Sequence, residues 1–476
     1  MLISATLKYV PAQLIGQFAQ LISVILWTHW LAPGELAIYT LVTVAQEMAY
    51  VACLGWFAVY ALRYLPPASD AAGRARYLGT ENAVVLASVA AGMVAAVVVS
   101  FTLPPHARVA TGTLAIGLFF VTRAINMHYA ERARAQSAFV AYTLLQTVGP
   151  VGGLVIAWLA LQRATTPDAW LLLFAYSAAQ AIGSVLALPL MGMHWRLARP
   201  DGALLRAAIG FGLPLTGLGA LSWAAENSIR YLVQWQSGAT ALGLMIVGWS
   251  LGRRCASVAS MLVTTAAFPL AARLMNEGRR DQALVQLRIN AALVFAVLAP
   301  VTAAVALLGP GLVALVVAPD YRQTSAELLA LATLGGALRN LHLHVTDQLM
   351  VLDRRWRMAA EIDVVEIVLC GAATLAGLAS HGLHGALAGQ ALGSLATLAL
   401  SMHWADRHLG LQWPWLDTLR VLVATVGMAA ALQWFDADAS AGELIAGAAL
   451  GAAVYGAAMA LLYATPLRAL VAARRR

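Results

Sequence analysis

Residues 211–254 read FGLPLTGLGALSWAAENSIRYLVQWQSGATALGLMIVGWSLGRR. Two apolar runs flank a turn at Ser237-Gly238. Each is near the roughly 20 residues a helix needs to cross the hydrocarbon of a bilayer. Arg230, Arg253 and Arg254 lie inside these runs, and Arg123 and Arg339 lie in similar surroundings elsewhere. A guanidinium at bilayer depth costs roughly 3 kcal/mol on insertion scales, and it does not escape by losing its proton. Such a residue persists where it meets a wet cavity, a partner charge or an anionic substrate.

The whole chain has the same character. It has 476 residues, 61% hydrophobic and 11% charged, with a mean hydropathy of +0.76. That composition excludes a soluble domain of this size and predicts an all-α polytopic membrane protein. Fourteen spans are expected. Six cover about 9–31, 36–62, 80–102, 109–129, 138–161 and 169–192. Six more cover about 206–234, 240–268, 289–317, 326–351, 359–379 and 384–404, and two cover about 419–435 and 442–463. The N-terminal run after Lys8 is too long for a signal peptide and reads as the first span.

Loop charge sets orientation. One side carries Lys8, Arg74, Arg76, Arg132, Arg134, Arg196, Arg199, Arg273, Arg279, Arg280, Arg354, Arg355, Arg357, Arg407, Arg468 and the terminal Arg474 to Arg476. The other side holds only Arg108, Arg163 and Arg322. This positive-inside pattern places both termini in the cytoplasm. It also accounts for the net charge of +8 without a nucleic-acid partner. All loops are short, which leaves no room for a soluble catalytic domain. Cys53, Cys255 and Cys370 have neither metal spacing nor a disulfide framework and read as packing residues.

The opening stretch has a weak counterpart about 200 residues earlier. Lys8-Tyr9-Val10-Pro11-Ala12 leads through Trp30 to a turn at Pro33-Gly34 and a second helix from Leu36 to Glu47. Proline, helix, tryptophan, glycine turn and helix recur in that order. Six spans is an even number, so the halves share one orientation, as in parallel-repeat transporters. The expected organisation is a six-helix lobe at 1–200, a second at 201–405 related by a pseudo-two-fold axis, and two added helices with a basic tail at 406–476. Such symmetry places a substrate cavity between the lobes.

Several segments together resemble a known family. They are Trp30-Leu31-Ala32-Pro33-Gly34-Glu35-Leu36-Ala37-Ile38-Tyr39, Phe211-Gly212-Leu213-Pro214-Leu215, Asn227-Ser228-Ile229-Arg230-Tyr231, Phe268-Pro269 leading to Arg273, Glu277 and Gly278, and Asp320-Tyr321. In this order and spacing the chain, over about residues 5–405, resembles bacterial Wzx-type polysaccharide flippases. Their superfamily also holds drug/sodium antiporters and lipid II flippases. The family often has Asp just before the arginine at position 230; here Ile229 stands there, and Glu226 could substitute. The resemblance implies a two-lobed helical fold in the bacterial inner membrane. It implies flipping of undecaprenyl-pyrophosphate-linked oligosaccharide from the cytoplasmic to the periplasmic leaflet, for surface polysaccharide such as O-antigen or exopolysaccharide. Membrane lipid and polysaccharide polymerase machinery are the implied partners. It implies no enzyme activity and no cofactor.

The candidate substrate-binding residues are Arg123, Arg230, Arg253, Arg254 and Arg339; the ion-coupling or cavity-polar candidates are Glu47, Glu226, His344 and Asp347. Glu226 and Arg230 are i,i+4 and could pair, either to neutralise each other or to line a cavity. Arg253 and Arg254 point about 100° apart, so at least one faces inward unless both sit at an interface. Asn340, His344 and Asp347 share one α-helical face at i, i+4, i+7, and Arg339, His342 and Thr346 another. That run is a cavity wall or a packing network. His at i,i+2 is poor ligand geometry, so no metal is expected. Arg123 faces the cavity or snorkels to headgroups. Glu47 is a buried packing carboxyl or a proton or cation site. Asp363 and Glu366 could balance arginines of the spans around 240–268 and 326–351. The rival reading is a cation-coupled multidrug antiporter of the same fold, which needs buried carboxylates where this chain is mostly basic.

Overall fold

Apolar runs of this length become helices because hydrocarbon offers no partner for backbone N–H and C=O groups, and a helix satisfies them within one segment. A computed structural model of the chain describes residues 15–16, 18–66, 70–103, 110–192, 199–434 and 440–464. Among these residues there is no strand. Ten helices among the described residues are long and apolar enough to cross a membrane, so the chain is an all-α, multi-pass membrane protein. The expectations for Lys8, Arg108, Arg196, Arg468 and Arg474 to Arg476, and for the Lys8–Ala12 end of the repeat, lie outside the described residues.

The helices are α1 (Phe18–Trp27), α2 (Pro33–Tyr64), α3 (Ala71–Thr102), α4 (Ala110–Ala135), α5 (Phe139–Leu161) and α6 (Ala169–Met191). They continue as α7 (Gly202–Asn276), α8 (Arg280–Val316), α9 (319–352), α10 (Trp356–Leu409), α11 (Trp415–Leu432) and α12 (Ala441–Leu462). Over the described residues, each of the fourteen expected spans lies on helix. α7 holds two of them, divided at Gly238, whose φ of 83° and ψ of 177° suit only a residue without Cβ. α10 holds two more, divided at His381 and Gly382. α9 is helical but too polar to be among the ten.

Some helix starts carry side-chain caps. Asp70 accepts from Gly73 N at 2.8 Å to open α3. Asp168 accepts from Leu171 N at 2.9 Å to open α6, where Glu35 also accepts from Ala169 N at 2.9 Å. Asp201 accepts from Ala203 N at 2.9 Å to open α7. Ser440 and Glu443 form a capping box on α12. At the exposed end of α7, Arg273 donates to Glu277 at 2.7 Å. That hydrogen bond, helped by Arg279, holds the Glu277 carboxyl below its ordinary value.

Helical contacts divide the chain into one unit at Met1–Asn227 and another at Ser228–Arg476. The division falls inside α7, some 27 residues after the limit drawn from the sequence. In the first unit Phe57, Leu54 and Tyr50 of α2 pack on Tyr77 of α3 and Ala208 of α7. In the second, the two limbs of α10 approach through glycines. A Cβ on Gly389 would stand 2.1 Å from the Ala373 carbonyl oxygen, and one on Gly393 would stand 2.7 Å from Cys370 Cα. Gly385, Gly389 and Gly393 recur every four residues, the small-residue spacing that lets membrane helices touch backbone to backbone. Tyr455 of α12 donates to the Ala296 carbonyl of α8 at 2.6 Å.

Among the described residues, three helices contain a π-helical turn, at Val51–Gly55, Val148–Gly152 and His342–Asp347. A π turn adds a residue without adding a turn, and such bulges concentrate at functional sites. The last one corrects the sequence-based face assignment. The helix phase slips through 342–347, so Asp347 leaves the face that Asn340 and His344 share.

A second correction concerns Arg132, assigned above to a cytoplasmic loop. It lies in the last turns of α4, fully buried and ion-paired with Glu81. Arg134 stays half-exposed and pairs with Glu131 at 2.7 Å.

Candidate functional site

Among the described residues, internal charges gather in three groups, two in the first unit and one in the second. In the first unit, Arg123 of α4 reaches Glu47 of α2 at 3.4 Å. Glu47 sits one turn before the π bulge at Val51–Gly55. Its side chain is 40% exposed within the protein, so it is not the buried packing carboxyl that the sequence allowed. Beside it, Gln46 is fully buried, and both amide atoms lack a hydrogen-bond partner among the described residues. Tyr39 stacks near Tyr176, with ring centroids 6.0 Å apart, and the Tyr176 hydroxyl meets Ser23 at 2.8 Å. Polar groups therefore run from α1 through α2 and α4 to α6.

The second group was missed in the sequence. Glu81 of α3, His128 and Arg132 of α4 are all fully buried. The Glu81 carboxylate meets His128 Nε2 at 2.9 Å through one oxygen and Arg132 through the other. Thr80, next to Glu81, accepts from Asp201 N at 2.9 Å and ties α3 to the start of α7. The signal was present in the sequence: a carboxylate inside an apolar span implies a buried partner. Arg132 escaped notice because it falls near a helix end, where an arginine ordinarily reaches water.

The third group lies in the second unit. Arg230 and Arg253, both on α7, stand over the indole of Trp249 at 4.6 and 5.4 Å from its centroid. The indole is fixed from its other end, where Nε1 donates to Gln390 Oε1 of α10 at 3.0 Å. Two cations on one ring gain attraction from the ring quadrupole, about 1–2 kcal/mol each when desolvated. Gly336 of α9 abuts Arg253: a Cβ there would stand 3.3 Å from both Cα and Cδ of the arginine. One turn on, Arg339 is buried and ion-paired with Glu366 of α10. His342 meets Thr346 at 3.0 Å and Ser401 at 3.2 Å.

Arg254, Glu226, His344 and Asp347 are half-buried. His344 Nδ1 accepts from Gln348 Nε2 at 3.3 Å, within its own helix. Asn340 accepts from Ser260 Oγ of α7 at 2.8 Å, so part of the polar run of α9 serves helix packing. His342, Asp363 and Glu366 bring ligand atoms within 4.8 Å of one another. They are the residues of this group that could hold a cation, although the Arg339 guanidinium already supplies positive charge to Glu366.

The fold and these internal charges together define a multi-pass helical membrane protein that carries ionised groups within its spans. The same fold occurs in the solved lipid II flippase MurJ in an inward closed conformation, at 10% identity and a TM-score of 0.69, covering 98% of this chain and 100% of that one. It occurs also in an inward-facing multidrug resistance MATE family transporter of the MOP superfamily, at 13% identity and a TM-score of 0.63, covering 85% of this chain and 98% of that one. The MATE multidrug transporter DinF-BH matches at 15% identity and a TM-score of 0.58, covering 86% and 96%. No curated protein sequence matches the chain. A family profile does, over residues 81–326, more than half of the chain: it belongs to the family described as "Polysaccharide biosynthesis protein".

Proposed function

We propose that this chain flips undecaprenyl-pyrophosphate-linked oligosaccharide from the cytoplasmic to the periplasmic leaflet of a bacterial inner membrane, by alternating access and without catalysing a reaction. The observation that carries this reading is the convergence of Arg230 and Arg253 on Trp249, with Arg339 on the neighbouring helix. Taking a bare pyrophosphate through hydrocarbon is prohibitive. Arginine offers planar, permanently charged donors that match phosphate oxygens, and the indole of Trp249 gathers two of them on one ring. The lipid tail stays in the bilayer while the head group passes the arginine-lined path. Glu47 with Arg123, and Asp347 near Arg339, are the proposed ion-coupling groups. The proposed lobes remain 1–200 and 201–405, with 406–476 added, both termini cytoplasmic, and a surface-polysaccharide polymerase as downstream partner.

Membership in a polysaccharide biosynthesis family supports this reading. The solved flippase with the same fold is itself described as acting on lipid II. The buried carboxylates Asp363 and Glu366 favour one second reading, a cation-coupled multidrug antiporter. Complementation separates the two. In a host lacking its own flippase, the chain is expected to restore surface glycan and clear the lipid-linked intermediate, while Arg230→Gln and Arg339→Gln each insert but fail. Near-normal glycan in both variants would refute the arginine role, and drug resistance without glycan rescue would favour the antiporter.

A further inference from the structure

A separate pocket of about 530 Å³ opens at the start of α10, away from the groups described above. Its lining includes Arg354, Arg355 and Arg357, the indoles of Trp356 and Trp404, and His408. We propose that it is a binding site for the phosphate head group of an anionic phospholipid, whose acyl chains lie along the tryptophans.

Four observations support this. First, charge: three arginines face one carboxylate in the lining, Glu361. Arg355 shares Asp353 with Arg280, at 3.5 and 3.4 Å, whereas Arg354 and Arg357 form no ion pair among the described residues. Second, backbone: Arg354 adopts φ of 60°, the left-handed region. It ends α9 in a turn closed by Arg355 N donating to Met350 O at 2.8 Å. Helices place glycine at that position because it alone avoids the Cβ clash. Arg354 thus occupies a backbone position that ordinarily favours glycine. Third, the aromatics: Trp356 is exposed and Trp404 stacks edge-on with His408 at 6.3 Å. Tryptophan favours the head-group level of a bilayer, which puts the arginines at phosphate depth. Fourth, size: the volume falls in the range of sites for whole small molecules rather than a bare ion. The loop charges read as cytoplasmic, and that leaflet holds anionic lipid that attracts such clusters.

The test uses the purified full chain in detergent, with bound phosphatidylglycerol counted by native mass spectrometry against phosphatidylcholine. A basic residue near an anionic surface is worth roughly fivefold in affinity. The Arg354→Gly, Arg355→Gln, Arg357→Gln triple variant is therefore expected to bind phosphatidylglycerol roughly a hundredfold more weakly. Arg407→Gln, an exposed neighbour outside the lining, should change binding far less. Should the triple variant not fold, Arg354→Gly alone decides, because glycine suits that backbone. About fivefold weaker binding with an undiminished unfolding midpoint supports the site. Unchanged binding in the variants overturns it, as does displacement by millimolar inorganic phosphate. Clearly tighter binding of undecaprenyl pyrophosphate than of phosphatidylglycerol overturns the phospholipid assignment and gives the pocket to the cargo instead. None of these outcomes depends on glycan export.

Discussion

Replacing Glu81 with glutamine should destabilise the protein more than removing its whole ion pair. The carboxylate is fully buried between His128 Nε2, at 2.9 Å, and Arg132, both also fully buried. Two unit charges about 4 Å apart attract by about 4 kcal/mol at an effective dielectric of 20. The cost of drying the ions cancels much of that, so the intact pair adds little net stability. The single variant behaves differently because it keeps the desolvated guanidinium and removes its counter-charge, at about 3–5 kcal/mol. Arg132 Nε and Nη2 already make no hydrogen bond among the described residues, so no neighbour takes over. Domains of 150–250 residues lose about 2–4 °C of Tm per kcal/mol, so Glu81→Gln should fall by roughly 10 °C. Glu81→Leu with Arg132→Met should recover most of that, since an apolar pair of similar volume fills the space without a stranded charge. Thermal unfolding in detergent, followed by size-exclusion of the remaining monodisperse fraction, reads both. A single variant as stable as the parent would refute the reasoning. So would a double variant no better than the single, because the loss would then come from packing rather than charge.

Further outcomes follow from the geometry. Trp249→Phe should keep part of the platform under Arg230 and Arg253 but lose the hydrogen bond to Gln390, giving glycan export between parent and Trp249→Ala; equal export in all three would remove the indole from the mechanism. Gly389→Leu should prevent the limbs of α10 from meeting, since even a Cβ would stand 2.1 Å from the Ala373 oxygen, and should yield little monodisperse protein. Gly371→Ala, with nothing within 4 Å of the added carbon, should express normally. Glu366→Gln removes the ion pair to Arg339 and should lower stability by up to about 3–5 kcal/mol, which Arg339→Met in the same chain should partly relieve; additive losses in unfolding measurements would count against the pair.

The two levels of legibility in this chain have one physical origin. Span positions were readable because a bilayer imposes a length and forbids unpaired backbone, so a contiguous run such as 80–102 announces itself locally. The break at Ser237-Gly238 was readable for the same reason, as a turn residue between two full-length runs. Pairings depend on which helices lie together, and that information is not local. Glu366 was expected to balance an arginine, and Arg339 is its partner; the acid and base were both conspicuous because each sat mid-span. Glu81 and Arg132 were less visible, since Glu81 stands at the start of the expected span 80–102 and Arg132 near the end of its helix, where a charge has an ordinary explanation in water. Helix phase was the third difficulty. The π turn at His342–Asp347 slips the register by one residue, so counting by 3.6 puts Asp347 on the wrong face although every residue is correctly read as helical. An inserted residue of that kind stretches several backbone hydrogen bonds, and it survives where the interior compensates: here His342 meets Thr346 and Ser401 at 3.0 and 3.2 Å. The bulge and the polar cluster thus support each other. That mutual support makes the stretch from Arg339 to Asp347 the part of the second unit where a change of protonation or ligand would most readily alter helix register.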